Sequence, residues 1–350
     1  MVKLHDILSQ DEELWDLYTR KEEYIPRHVD QYGRFRYADS THQNILEPRV
    51  SEYLLKNGFA IEYPDNKQFA VCLTHDVDHI CPPWDHTLLS SLACVRDLDM
   101  GGLKKQVFWR RQGKKKSPYN NFTEIMELEG KYGATSSFYF LATKTDIRRL
   151  RYTIENFNDE LGQIIDSGGE VGLHGGYYAY NDPDIIQLEK ARLERVLGRK
   201  ISGYRNHYLR FQVPDSWVYL SGAGFEYDST LGYNERVGFK NGMCHPFRPY
   251  NLNTRQEINI LEMPLTIMDG TLFDMVTSYH QGWELAKRLI DTVASCSGVL
   301  TLNWHSNSFN CPFRAAWPGM YEEILKYCHT KNAWMTHGKN ISDWWKSRGF

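Results

Sequence analysis

The sequence predicts an α/β protein whose parallel sheet closes, or nearly closes, into a barrel, and three observations predict it. Phe69-Ala-Val-Cys-Leu73 is apolar on both faces, as a strand covered on both sides by helices must be. Beyond it, strand-like segments alternate with helix-like segments of about 10 to 15 residues, the pattern that right-handed crossovers turn into a parallel sheet. Polar and titratable residues recur where those strands end, on the rim that α/β folds leave open because helices cover the faces.

In chain order, residues 1–65 are polar, charged and helix-leaning over 11–23 and 48–57, and read as an N-terminal helical extension of a main domain at 66–350. The first strand, 69–73, runs into Thr74-His-Asp-Val-Asp78. Residues 81–121 read as an insertion. Within it, 104–116 holds seven basic side chains, Lys104 and Lys116 at its ends, and no acidic one. Most such runs are solvated surface; the sharper reading is a patch for a phosphate, a diphosphate or an anionic membrane surface. A helix over 122–132 then leads to a strand over 135–142, and a helix near 159–167 to a strand over 170–174. Asp182 opens a helix through Leu197, the strand 201–204 follows, and a helix over 214–223 precedes a short strand at 225–228. Residues 260–268, 298–304 and 333–336 read as further strands, with helices over 283–296 and 320–329. Residues 229–259 lack periodicity and read as a long connection of the kind that often covers a site.

Composition limits what such a domain does. With 350 residues, 41% of them hydrophobic, the chain can bury a large core. A net charge of −3 and a pI near 6.5 argue against a binder of nucleic-acid polymers. Ten Trp and 22 Tyr suit the walls of a site for a sugar or another amphipathic ligand, though aromatics are also ordinary core residues. The seven Cys (72, 81, 94, 244, 296, 311 and 328) are odd in number, scattered and without a C-x-x-C pair, as expected of reduced thiols in a cytoplasmic protein. Charge interrupts Met-Val-Lys-Leu-His-Asp too early for a secretory signal, and no apolar run is long enough to span a bilayer. These features predict a soluble, cytoplasmic protein.

The strand-end residues are His75, Asp76 and Asp78; His174; Arg205 and His207; Asp228; and His305. Any one of them could cap a turn or sit satisfied in a core, but recurrence on one rim favours chemistry. In these segments the sequence resembles the polysaccharide deacetylases of carbohydrate esterase family four and their amidohydrolase relatives. The resemblance covers residues 69–305. It rests on Leu73-Thr-His-Asp-Val-Asp78, Glu170-Val-Gly-Leu-His-Gly-Gly-Tyr-Tyr178, Tyr204-Arg-Asn-His-Tyr208, Phe225-Glu-Tyr-Asp-Ser-Thr230 and Leu302-Asn-Trp-His305.

The resemblance implies a distorted (β/α)7 barrel that hydrolyses an N-acetyl, sometimes an O-acetyl, group of a sugar with a divalent metal, commonly zinc. By the same resemblance Asp76 is the general base, Asp78 and His174 are metal ligands, and Arg205 holds Asp76. His305 is the general acid, and Asp228 is a candidate to orient it. One position departs from the family pattern. The second motif usually ends in another His, and here that residue is Tyr178, a rare and weaker zinc ligand. His207 is the first candidate to complete the shell, with His75 or His79 behind it; His75 also stands where the family usually has Phe. The implied substrate is a sugar, or a sugar linked to a nucleotide or lipid, in surface polysaccharide or lipopolysaccharide synthesis. Alternatives are deformylation of a formamido sugar, opening of a cyclic amide, or a metal-free sugar-binding module.

Overall fold

The computed structural model describes residues 4–147 and 150–349; the first three residues of the expected extension lie outside them. The strands are β1 Ala70–Val77, β2 Ser137–Leu141, β3 Glu170–Gly175, β4 Gly203–Asn206, β5 Tyr227–Asp228, β6 Tyr250–Asn251, β7 Gln256–Glu257, β8 Leu261–Glu262, β9 Leu265–Met268, β10 Val299–Asn303 and β11 Trp334–Thr336. β6 and β7 form a separate antiparallel pair. The others make one parallel sheet in the order β8-β5-β4-β3-β2-β1-β10-β9, with β11 paired to β1.

Only Met263 and Pro264 separate β8 from β9, so the two ends of this order are one run of chain. Its first half pairs with β5 and its second half with β10. The expected single strand at 260–268 is therefore broken, and the break falls where proline has no N–H to give a ladder. Counted once, that run joins β1 to β5 and β10 as the seventh stave of a distorted barrel. The first strand also runs further than 69–73. Its far half pairs with β2 from Thr74 to Val77, so Asp76 lies within the strand and only Asp78 beyond it. β11 fills the same edge of β1 lower down, from Ala70 to Cys72.

Tyrosines fill the lower barrel interior where neighbouring strands offer glycine. A Cβ at Gly203 would lie 2.2 Å from the Tyr227 hydroxyl. That hydroxyl accepts from Tyr139 at 3.0 Å and donates to Glu170 at 2.8 Å, closing the floor. With the floor plugged, the strand ends of the opposite rim are where a ligand can enter.

The N-terminal segment shares the core of the barrel: Leu8, Leu17, Val50 and Leu54 belong to one apolar cluster with Cys72, Phe138 and Leu173. Gly242 O accepts from Val50 N and Ser51 N, so residues 229–259 are gripped between the segment and the barrel. That connection is a buried layer more than a cover, and only Asn234 of it lines the central cavity. The insertion folds as two helices, Trp84–Arg96 and Met100–Gln112, followed by a turn at Lys114–Lys116. A C-terminal helix at Gly338–Ser347 has no counterpart in the sequence reading, because His337 caps it where Ser, Thr, Asp or Asn is usual.

Candidate active site

Strand alternation decides which side chains of the first motif face inward. Thr74 and Asp76 point into the barrel, and His75 points out. The Asp76 carboxylate is buried and held twice, by Arg205 Nη1 at 3.1 Å and by Asn303 Nδ2 at 2.8 Å. Arg205 is itself fixed, donating to Thr74 Oγ1 at 2.7 Å and to Ser229 O at 3.0 Å. Burial raises the Asp76 pKa, but His174 and Arg205 outweigh it and leave the carboxyl below its ordinary value. Asp76 is therefore ionised at neutral pH.

Asp78, His174 and His207 meet at the ends of β1, β3 and β4, with ligand atoms within 4.8 Å of one another. His174 Nδ1 lies 3.0 Å from the Arg205 carbonyl, which can only accept, so Nδ1 carries a proton and Nε2 is the nitrogen turned to the site. That Nε2 is 3.4 Å from Asp78 Oδ1, and His207 Nε2 is 3.3 Å from the same oxygen. Asp78 Oδ1 is buried and has no hydrogen-bond partner among the described residues. A buried carboxylate oxygen with two imidazole nitrogens converging on it fits a cation, and two imidazoles with one carboxylate are a set that zinc takes. Burial pushes the Asp78 pKa up, but His207, His174 and Arg151 together bring it well below the usual carboxylate range. Burial holds His207 below its ordinary value, in the neutral form a ligand needs.

The reserve candidates lie elsewhere. His75 is fully buried on the outer face, 2.7 Å from Trp304 O and 2.8 Å from Glu129 Oε1, so it adds no imidazole to the site. His79 lines the cavity, with Nε2 2.8 Å from Arg151 Nη1. Tyr178 is exposed and does not line the cavity; Tyr208 does. Trp304, Tyr177 and Tyr233 are buried packing residues.

His305 faces Asp76 across a cavity of about 380 Å³. Its orienting partner is not Asp228. That carboxylate does not line the cavity; it accepts from Thr230 Oγ1 at 2.6 Å, and burial raises its pKa to about 6. The partner is Asp269, with Oδ1 2.7 Å from His305 Nδ1 and Oδ2 accepting from His305 N at 3.0 Å and Ser308 Oγ at 2.7 Å. Burial alone would lower the His305 pKa, but Asp269 outweighs it and lifts it to about 9. Asp269 follows Met268 at the end of β9, and the strand-end argument applied to that strand would have found it. The arrangement offers a base, a proton donor and a cation seat around one cavity, the parts needed to hydrolyse an amide.

No family model matches the chain, and no curated protein matches it in sequence. Solved structures do match in fold. A candidate polysaccharide deacetylase from Mycobacterium smegmatis aligns at 20% identity and a TM-score of 0.55, over 82% of this chain and 93% of its own. One from Pseudomonas aeruginosa PAO1 aligns at 14% identity and a TM-score of 0.56, over 93% and 99%. PuuE allantoinase aligns at 14% identity and 0.55, over 93% and 98%. The chain has the fold of the polysaccharide deacetylases, the distorted seven-stave barrel that its motifs imply.

Proposed function

We propose that the chain is a metal-dependent hydrolase of a linear amide, removing an N-acetyl or similar acyl group from a sugar. The observation that carries this reading is the unpartnered, buried Asp78 Oδ1 between the Nε2 atoms of His174 and His207. Asp78, His174 and His207 would hold a divalent ion, zinc by preference, which when bound would supply Lewis acidity toward water and the acyl carbonyl. Asp76, kept ionised by His174 and Arg205 and held in place by Arg205 and Asn303, takes the proton of the attacking water. His305, kept protonated by Asp269, delivers a proton to the departing nitrogen. Arg205 acts through Asp76, and Asp228 has no place in the chemistry. The two structural neighbours described as polysaccharide deacetylases support a sugar substrate. We place that sugar, free or linked to a nucleotide or a lipid, in surface polysaccharide or lipopolysaccharide synthesis. A cytoplasmic setting is supported by the seven free thiols. Among the described residues, no helix is long and apolar enough to cross a membrane. The barrel is taken as 66–350, with residues 1–65 as its extension.

A second reading, opening of a cyclic amide, is favoured by two guanidinium groups, Arg151 and Arg314, that line the cavity and could receive a product carboxylate. The likeness to an allantoinase points the same way.

Elemental analysis and acetate release from N-acetylated sugar nucleotides test the first reading. Wild type is expected to carry about one divalent ion. Asp78→Ala, His174→Ala and His207→Ala should lose it, while Asp76→Ala keeps the ion and loses roughly 10²-fold or more in turnover. A wild type that binds no divalent ion overturns the hydrolase and leaves a sugar-binding module.

A further inference from the structure

The helix Trp84–Arg96 is amphipathic the wrong way round. Its protein-facing side carries Thr87, Ser90, Ala93 and Cys94, while Trp84, Leu88, Leu92 and Val95 form an exposed stripe at helical spacing. Trp84 is 71% exposed and Leu92 58%. The surface continues through Leu98 and Met100 to Val107 and Phe108 of the second helix, all exposed. Surface of this kind marks a docking face.

The charge beside it says what docks. Residues 104–116 carry seven basic side chains and no acidic one, in a chain whose net charge is −3. Two of these cations border the apolar surface directly. The Arg110 guanidinium lies 3.8 Å from the centre of the Trp84 ring and donates to Pro82 O and Thr87 Oγ1, tying the two helices together. Arg111 lies 5.8 Å from the centre of the exposed Phe108 ring. Trp, Leu and Phe flanked by Lys and Arg suit the headgroup boundary of an anionic bilayer. A two-fold contact with a second copy would instead set this cationic run against itself. The site lies close by: Asp85 and His86, in the same helical turn as Trp84, line the catalytic cavity.

We propose that these two helices dock on an anionic lipid bilayer, and that the sugar reaches the cavity on a lipid carrier whose phosphate lies among residues 104–116. The substrate half of this proposal rests on the hydrolase reading above; the docking half stands without it.

Co-sedimentation of the full chain with vesicles tests it. Vesicles of phosphatidylglycerol and phosphatidylcholine should bind the protein at least tenfold more tightly than phosphatidylcholine alone, and added salt should weaken the difference. The double variant Leu88→Glu/Leu92→Glu and the triple variant Lys114→Glu/Lys115→Glu/Lys116→Glu should each bind anionic vesicles at least tenfold more weakly. Their circular dichroism, metal content and hydrolysis of a soluble acylated sugar should match wild type. Wild type that ignores anionic vesicles overturns docking whatever its activity. A dimer in sedimentation that Leu88→Glu/Leu92→Glu dissolves, with vesicle binding unchanged, assigns the face to a second copy and also overturns it. Vesicle binding without hydrolysis of any acylated sugar overturns the hydrolase reading and leaves docking intact.

Discussion

Neighbouring residues of one strand have opposite fates here, and the cause is strand parity. Asp76 faces the cavity, whereas His75 faces outward and is spent on structure. Glu129, which takes His75 Nε2, also accepts from the Tyr321 hydroxyl at 2.5 Å and Ser136 Oγ at 2.7 Å, so this buried group joins β1 to two covering helices. The same scale fixes the proton donor. His305 must be protonated to act, and Asp269 keeps it so up to about pH 9. Asp269→Asn removes the anion and leaves burial to lower the imidazole, so the alkaline limb of the kcat profile should move acidward, with kcat at pH 8 falling roughly 10²-fold. Asp228→Asn should leave that limb in place. A limb that moves with Asp228 and not with Asp269 would reverse the assignment.

At the scale of elements, the barrel depends on small residues facing large ones. Gly203 on β4 lets Tyr227 of β5 cross the floor, and a methyl group there would meet the phenol ring and hydroxyl at 2.2 to 2.8 Å. Gly203→Ala should therefore destabilise the fold by about 1–3 kcal/mol through overpacking, read from the urea midpoint. An unchanged midpoint would mean that the floor can yield. The elements also show why position 207, and not 178, is a candidate ligand. Position 178 lies in the turn after β3 and is exposed, while His207 follows β4 directly and reaches the ion seat from the next stave.

Across the whole molecule, the N-terminal segment supports the site from outside the barrel. Tyr208 and Leu209, just after His207, both have left-handed backbone, with φ of 63° and 52°, a conformation that side chains with a Cβ hold only under constraint. Arg34 Nη1 donates to Tyr208 O at 2.8 Å, and Arg210 Nε donates to Tyr32 O at 2.6 Å, so the segment clamps both sides of this turn. Arg34→Ala should weaken divalent-metal binding about tenfold by titration, as loss of a supporting contact behind a ligand does elsewhere. Metal affinity equal to wild type would show that the turn holds itself.

Sequence alone indicated the alternation of strands and helices, the rim on which chemistry collects, and the strand-end candidates His75, Asp76, Asp78, His174, Arg205, His207, Asp228 and His305, of which Asp76, Asp78, His174, His207 and His305 line the cavity and Arg205 holds Asp76. These are local matters: apolar runs, periodicity and the residue types just past a strand each show within a short window of chain. The tertiary structure decided the rest. The partner of His305 comes from position 269 and not 228, because barrel order sets β9 directly beside β10, whereas β5 lies one stave further on, across the β8–β9 run. One run of chain closes the ring from both ends, and residues 30–34 reach position 208, because such pairings depend on how distant segments meet in space. The exposed stripe of Trp84–Arg96 is of the same kind. Its leucines read equally well as core in the sequence, and only the packed fold shows that nothing among the described residues covers them.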